Sequence, residues 1–168
     1  MNIRFRDAGL DDIPLIQELS RRIWREHYPG IISPAQIDYM LDRMYSTARL
    51  RDEMVNEGYR YIMVCEQDSP VGYLSLRYHP EDASLALSKI YLLGSYHAKG
   101  IGRRMLQYTK EQAMVWKATS IFLFVNRHNR KAIRVYERFG FKRTAKTVTD
   151  IGNGFVMDDY RMELKLKH

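Results

Sequence analysis

The chain has only one cysteine, Cys65, in 168 residues. A single thiol cannot form an intrachain disulfide or supply the paired ligands of a cysteine-based metal site. Cys65 follows an apolar run that begins at Tyr61, which favours a buried small hydrophobic residue over a reactive thiol. Histidine is also scarce, and His79, His128 and His168 show no metal-ligand spacing. The sequence therefore predicts no metal centre.

Long apolar runs are missing as well. No window approaches the roughly 20 apolar residues that cross a bilayer, and Arg4, Arg6 and Asp7 stand where a signal peptide would be apolar. With 45% hydrophobic and 12% aromatic residues, a chain of this length can bury a sizeable core. We expect a single domain over residues 1–168 that is soluble, cytoplasmic and without a membrane partner.

The charge balance is basic, with 27 Lys and Arg against 20 Asp and Glu and a net charge of +7. Such a charge permits nucleic-acid binding, but most basic residues alternate with acidic ones, as on a solvated surface. There are two local basic clusters: Lys99, Arg103 and Arg104, and then Arg127, Arg130, Lys131 and Arg134. Both lie beside the motifs described below, where they could meet the phosphates of a small ligand. We therefore expect no nucleic-acid partner, and salt-dependent binding to DNA would contradict this.

Apolar periodicity predicts strands and helices that alternate through much of the chain. The predicted strands cover residues 2–6, 59–66, 70–78, 85–93, 120–125, 141–148 and 155–166. The predicted helices cover residues 10–28, 33–44, 49–57, 101–117 and 129–139, with starts and stops at capping residues and glycines. This order indicates one α/β domain with a mixed sheet.

A glycine-containing loop joins the strand 85–93 to the helix that begins near Ile101. Gly100 and Gly102 stand at this junction, where free backbone N–H groups and the helix dipole suit a phosphate or pyrophosphate. A dinucleotide-binding fingerprint would need glycine or alanine where Met105 stands, and a Walker loop would need Gly-Lys-Ser/Thr. An ordinary turn with two flexible glycines is the alternative interpretation.

A second motif occupies residues 129–141. Helical spacing places Asn129, Ala132 and Tyr136 on one face, so all three can contact one ligand. Asn129 can cap the helix or bind an amide. Tyr136 can be an aromatic core residue or a proton donor.

Together the two motifs resemble those of the GNAT N-acetyltransferases. The loop has the family's x-x-Gly-x-Gly pattern before a helix, and residues 129–141 match Asn-x-x-Ala-x-x-x-Tyr-x-x-x-Gly-Phe at every fixed position. The resemblance covers nearly the whole chain and implies a mixed, mostly antiparallel sheet flanked by helices. More narrowly, residues 23–28, Ser33-Pro34 and Asp158 resemble bacterial polyamine acetyltransferases of the PaiA type.

The resemblance also implies the ligand and its site. Acetyl-CoA is the expected cosubstrate, and Tyr136 is expected to protonate the coenzyme A thiolate. The expected cofactor-binding residues are Ile90, Tyr91, Leu92, His97, Ala98, Lys99, Gly100, Ile101, Gly102, Arg103, Asn129 and Tyr136. The chain departs from the family at His97, where Gln or Arg is usual, and at residues 87–89, where several members have a catalytic Glu.

The acceptor is expected to be the primary amine of a small molecule that attacks the thioester directly, with a polyamine such as spermidine as the example. Because a basic protein does not attract a polycation, this hypothesis needs a local acidic pocket built by Glu26, Asp158 and Asp159. The general base is left open, with residues 26–28 and 158–160 as candidates. A peptide or protein amine, a non-catalytic acyl-CoA-binding module and a homodimer also stay open.

Overall fold

The computed structural model describes residues 1–167, so His168 lies outside the described residues. The strands are β1 (Ile3–Asp7), β2 (Arg60–Glu66), β3 (Ser69–His79), β4 (Ser84–Leu92), β5 (Ser120–Asn126), β6 (Lys142–Gly152) and β7 (Phe155–Lys165). The helices are α1 (Ile13–His27), α2 (Pro34–Met44), α3 (Thr47–Val55), α4 (Ile101–Val115) and α5 (Arg130–Phe139). The predicted α/β class is confirmed. No helix within residues 1–167 has the length and apolarity needed to span a membrane.

The strands form one sheet in the order β1-β2-β3-β4-β5-β7-β6. Every neighbouring pair is antiparallel except β4 and β5, which confirms the predicted mixed, mostly antiparallel sheet. The parallel pairing joins only Ser84–Ala86 to Ser120–Phe122. Beyond these residues the two strands diverge, and a gap opens in the middle of the sheet.

A bulge bends β4 where it leaves β5. Ser75 of β3 lies opposite Lys89, but the next residue, Leu76, lies opposite Leu87. Ser88 is therefore the extra residue, and such a bulge turns the following side chains and strengthens the local twist.

Helices cover both faces of the sheet. On one face Ser20 of α1 hydrogen-bonds the hydroxyl of Tyr73 across 2.7 Å. On the other face Tyr108 of α4 stacks on Phe5 of β1, with ring centroids 4.4 Å apart. α2 packs beside α1, and α5 packs beside α4. The gap between β4 and β5 is thus open to both helical layers.

Three of the element boundaries that differ from the predicted ones have a visible cause. α1 begins at Ile13 and not at Leu10, because the Asp12 carboxylate accepts a 2.9 Å hydrogen bond from the Gly9 N–H and holds residues 10–12 in a separate 3-10 turn. α3 begins two residues early, at Thr47, because Ser46 caps it. β6 continues to Gly152, since it stays paired with β7 up to the hairpin turn.

Candidate active site

A cleft of about 1440 Å³ passes through the gap between β4 and β5. Strand residues 86–92 and 122–126 form its two walls. The end of the cleft near α4 and α5, here called the α4 side, is lined by His97, Ala98, Gly102, Met105, Leu106, Asn129, Lys131, Ala132, Val135 and Tyr136. The opposite end, here called the α2 side, is lined by Gln36, Tyr39, Met40, Arg43, Met44, Arg49, Glu53, Tyr59, Arg77, His79 and residues of β6.

The N-terminus of α4 opens on the α4 side without a cap. Gly100 occupies the N-cap position with φ 79°, a left-handed conformation that glycine adopts without strain. No side chain of residues 1–167 caps this helix, and the N–H groups of Ile101, Gly102 and Arg103 have no acceptor in the described chain. A side chain built on Gly102 would meet nothing within 4 Å. This helix end therefore has both free donors and space for an anion.

The predicted loop residues fall into two groups in the structure. His97, Ala98 and Gly102 line the cleft. Ile101 is buried in the core, Gly100 shapes the turn, and the charged Lys99 and Arg103 are exposed outside the cleft. The imidazole Nε2 of His97 lies 2.9 Å from the Leu92 carbonyl oxygen, so the ring faces back toward β4.

The second motif faces the cleft from α5. Asn129 is buried, and its side-chain oxygen caps α5 by accepting a 3.4 Å hydrogen bond from the Ala132 N–H. Tyr136 is only 9% exposed, and its hydroxyl makes no hydrogen bond within residues 1–167. Burial, with a smaller effect of Tyr28, raises the pKa of Tyr136 above its usual value. The hydroxyl therefore stays protonated at neutral pH and can donate to a ligand in the cleft.

A cluster of tyrosines extends from the cleft into the core, because Tyr28 and Tyr91 line the cleft whereas Tyr45 and Tyr73 are buried in the core. Tyr28 and Tyr91 join their hydroxyls across 3.2 Å, and Tyr73 donates to Tyr45 across 2.7 Å. Burial raises the pKa of each of these four hydroxyls, so all are neutral. Tyr45 and Tyr73 are core residues outside the lining of the cleft, and the sequence does not predict their contact because they belong to separate segments with no shared pattern.

Lys89 stands in the strand segment where several family members have a glutamate. It is buried, and its Nζ lies 3.0 Å from Glu53 Oε1 and 2.5 Å from the Tyr61 hydroxyl. Arg49 reaches the other oxygen of Glu53 at 3.2 Å. Burial lowers the pKa of Lys89, and the charge of Glu53 opposes this. No sequence pattern indicates this cluster, since Glu53 and Arg49 have the spacing of an ordinary surface pair on a helix.

The predicted acidic pocket of three carboxylates is wrong. Glu26 is exposed beside Gly94, outside the lining of the cleft. Asp158 is neutralised by Arg127, whose Nε lies 2.7 Å from its Oδ2. Only Asp159 lines the cleft. Neighbouring residues of a strand point to opposite faces, which separates Asp158 from Asp159.

Cys65 is only 4% exposed and lies outside the lining of the cleft. It is therefore the buried small hydrophobic residue that was predicted. Within residues 1–167, no three His, Cys, Asp or Glu side chains are grouped as a metal site requires.

Comparisons with known proteins identify the family and the fold. A sequence profile of the acetyltransferase (GNAT) family matches residues 16–141. The chain is 29% identical over 133 residues to an uncharacterized N-acetyltransferase of Mycobacterium tuberculosis, covering 77% of this chain and 85% of that protein. It is 27% identical over 166 residues to the spermidine N(1)-acetyltransferase of Thermoplasma acidophilum, and the match covers 94% of this chain and 97% of that protein. Its fold is similar to that of the PaiA N-acetyltransferase of T. acidophilum crystallised with coenzyme A, with a TM-score of 0.82 and 23% identity. The superposition covers 99% of this chain and 100% of that chain.

Proposed function

The chain belongs to the acetyltransferase (GNAT) family, and we propose from this premise that it transfers the acetyl group of acetyl-CoA to the primary amine of a small molecule. The observation that carries the proposal is the cleft through the split sheet. An uncapped helix N-terminus opens on the α4 side of this cleft, and Tyr136 and Asp159 also line the cleft. The helix end suits a pyrophosphate, and the two side chains can exchange protons with the attacking amine and the leaving thiolate.

The α4 side fits acetyl-CoA. Backbone N–H groups from Gly100 to Arg103 would hold the pyrophosphate, and the exposed Lys99 and Arg103 would add positive charge. Because β5 pairs with β4 only as far as Ala86, the β4 backbone at Ile90–Leu92 has an unpaired edge on the cleft. Those groups would bind the pantetheine arm, and one N–H would polarise the thioester carbonyl.

Tyr136 would serve as the proton donor to the leaving sulfur. Its hydroxyl is protonated and has no partner within residues 1–167, so nothing competes with a thiolate for it. A hydrogen bond aimed at charge that develops during the reaction stabilises the transition state more than the ground state. No covalent intermediate is needed, since the buried Cys65 lies off the cleft.

The charged side chains that line the cleft affect how many ammonium groups the acceptor can carry. Its lining carries the acids Glu53, Asp150 and Asp159 and the bases Arg43, Arg49, Arg77, Lys89 and Lys131. Arg43 and Arg77 form no ion pair within residues 1–167 and instead lie over the rings of Tyr39 and Tyr59, at 5.4 and 5.1 Å. Guanidinium groups repel extra ammonium groups. The cleft thus favours an acceptor with one ammonium, such as a monoamine or a peptide N-terminus, while the named activity of the T. acidophilum relative supports spermidine.

An acceptor screen tests the function. Purified protein and acetyl-CoA are mixed with monoamines, spermidine, spermine and a short peptide with a free N-terminus, and free thiol is measured. We expect kcat/KM to fall as the number of ammonium groups rises. Spermine as the best acceptor would instead assign a polyamine substrate, and a preference for the peptide would assign a peptide acetyltransferase. Binding of acetyl-CoA without thiol release from any amine would identify a non-catalytic acyl-CoA-binding module.

Gly102→Val tests the cofactor loop. A Cβ atom at Gly102 would meet no protein atom within 4 Å beyond its own helix backbone and chain neighbours, so the valine side chain should project into the space proposed for the pyrophosphate. Valine also has a higher helix propensity than glycine. We expect the Kd for acetyl-CoA in calorimetry to rise at least about tenfold, or about 1.4 kcal/mol, with no loss of thermal stability. Gln107→Val, on the exposed side of the same helix, is the matched control, and unchanged affinity in a folded Gly102→Val variant would contradict the assignment.

A further inference from the structure

Asp159 is a buried carboxylate without a partner. It is only 7% exposed, and no hydrogen bond or ion pair from residues 1–167 reaches its side chain. In the sheet it lies opposite Asn126 of β5, at the wall of the cleft. Carboxylates this buried are almost always paired. We therefore expect a bound ligand to supply the partner of the Asp159 carboxylate.

Two further observations place Asp159 near the reaction. Asp159 and Tyr136 line the same cleft as Tyr28, and burial, with the charge of Asp159 as a smaller cause, raises the pKa of Tyr28. The Tyr28 hydroxyl in turn contacts that of Tyr91 on β4, next to the backbone proposed to hold the thioester. Asp159 and Tyr136 therefore both lie near the proposed position of acetyl transfer.

We propose that Asp159 binds the ammonium group of the acceptor and removes its proton. This inference rests on the proposed acetyl transfer and supplies the general base that the sequence left open. It also explains why Lys89 is tolerated where several family members have a glutamate, since that lysine is already held by Glu53. In the proposed arrangement the base comes from β7, across the cleft from β4.

The proton and electron balance of the step is complete without a further reactant. One ammonium proton moves to a carboxylate oxygen of Asp159, and the freed lone pair on nitrogen forms a bond to the thioester carbonyl carbon. The carbon–sulfur bond breaks with its electrons on sulfur. A second proton from the nitrogen reaches that sulfur by way of the Tyr136 hydroxyl, which leaves an amide and a free thiol. Asp159 then returns its proton to water.

The environment of Asp159 suits this role. Burial, together with the charge of Asp158, raises the pKa of Asp159 to about 6, close to the value that serves a general base at neutral pH. On α1 and its C-cap, on β4 and on α5, the ionisable groups that line the cleft are His27, Tyr28, Lys89, Tyr91, Lys131 and Tyr136. From β5 and β6 the register places the uncharged Asn126 and Thr147 opposite Asp159. Burial also lowers the pKa of His27. The Asp159→Asn variant is therefore needed to show which group's titration controls the rate.

The test compares Asp159→Asn with the wild type on two acceptors of nearly equal size. One is 2-phenylethylamine, which is protonated at pH 7, and the other is O-benzylhydroxylamine, which is not. We expect Asp159→Asn to lower kcat/KM about 100-fold for the first amine and less than about threefold for the second, which needs no base before it attacks. Asp38→Asn, whose exposed carboxylate on α2 pairs with Arg25 and lies outside the cleft, is the matched control and should retain wild-type turnover at neutral pH.

The pH profile separates this role from a structural one. For 2-phenylethylamine, the kcat/KM of the wild type should rise with pH up to about pH 6 and then reach a plateau. The kcat/KM of Asp159→Asn should instead rise steadily to pH 9 without a plateau. Equal losses of kcat/KM on both amines, or an unchanged pH profile in a folded Asp159→Asn variant, would overturn the role of Asp159. Either result would leave the proposed acetyl transfer intact. If the wild type releases no thiol with these two amines or with the screening panel, the proposed function fails and the inference fails with it.

Discussion

Tyr136→Phe should lower kcat about 100-fold or more while leaving the Kd for acetyl-CoA within about twofold, because general acid catalysis is commonly worth that much. Phenylalanine keeps the ring, which packs 6.0 Å from Phe141 between centroids, and removes only a hydroxyl that has no partner within residues 1–167. Steady-state turnover and calorimetric binding measure the two quantities separately. The loss should appear in kcat and not in binding, because the hydroxyl is proposed to act on charge that forms during the reaction.

Two controls make this result specific. Tyr78→Phe removes a hydroxyl outside the cleft, beside Trp116, and should leave turnover unchanged. Rapid-mixing measurements must show that chemistry, and not product release, limits the rate. With chemistry limiting, a turnover within twofold of the wild type would mean that Tyr136 is a core residue and that water protonates the thiolate.

Glu53→Gln should lower the free energy of unfolding by about 3–5 kcal/mol, because it leaves the buried Lys89 without its counterion. Glutamine has nearly the same shape, so a packing defect does not explain such a loss. Thermal and urea unfolding measure it. The double variant Glu53→Gln with Lys89→Met should recover much of the stability, since it removes the buried charge as well.

The pH dependence of this variant has a defined sign. Burial already lowers the pKa of Lys89, and the loss of Glu53 removes the interaction that opposes this. The folded state then binds fewer protons than the unfolded state, so stability rises with pH up to about 10.4, the ordinary lysine pKa. The matched control is Glu57→Gln, because Glu57 pairs with the same Arg49 but is more exposed, and it should change stability by less than about 1 kcal/mol. A Glu53→Gln variant as stable as this control would show that the buried pair contributes nothing.

Much of the fold was accessible from the sequence because its signals are local. The apolar stripe of α4, the cap at Ser33 and the left-handed glycine at Gly140 each depend on a few neighbouring residues, and the structure has them as predicted. Two of the boundaries that differed, the starts of α1 and α3, depend on single hydrogen bonds accepted by the side chains of Asp12 and Ser46. Periodicity does not report such bonds.

The acetyltransferase family and the two motifs that face the cleft were therefore determined by the sequence alone, because each motif is a short segment whose backbone and side chains act together. The split between β4 and β5, the Lys89–Glu53 pair and the burial of Asp159 were decided only by the tertiary structure. Lys89 and Glu53 are 36 residues apart, and nothing in either segment indicates the other. Alternation in β7 requires Asp158 and Asp159 to face opposite ways, but which of them enters the cleft depends on the register with β5, and that register is set by packing across the whole sheet.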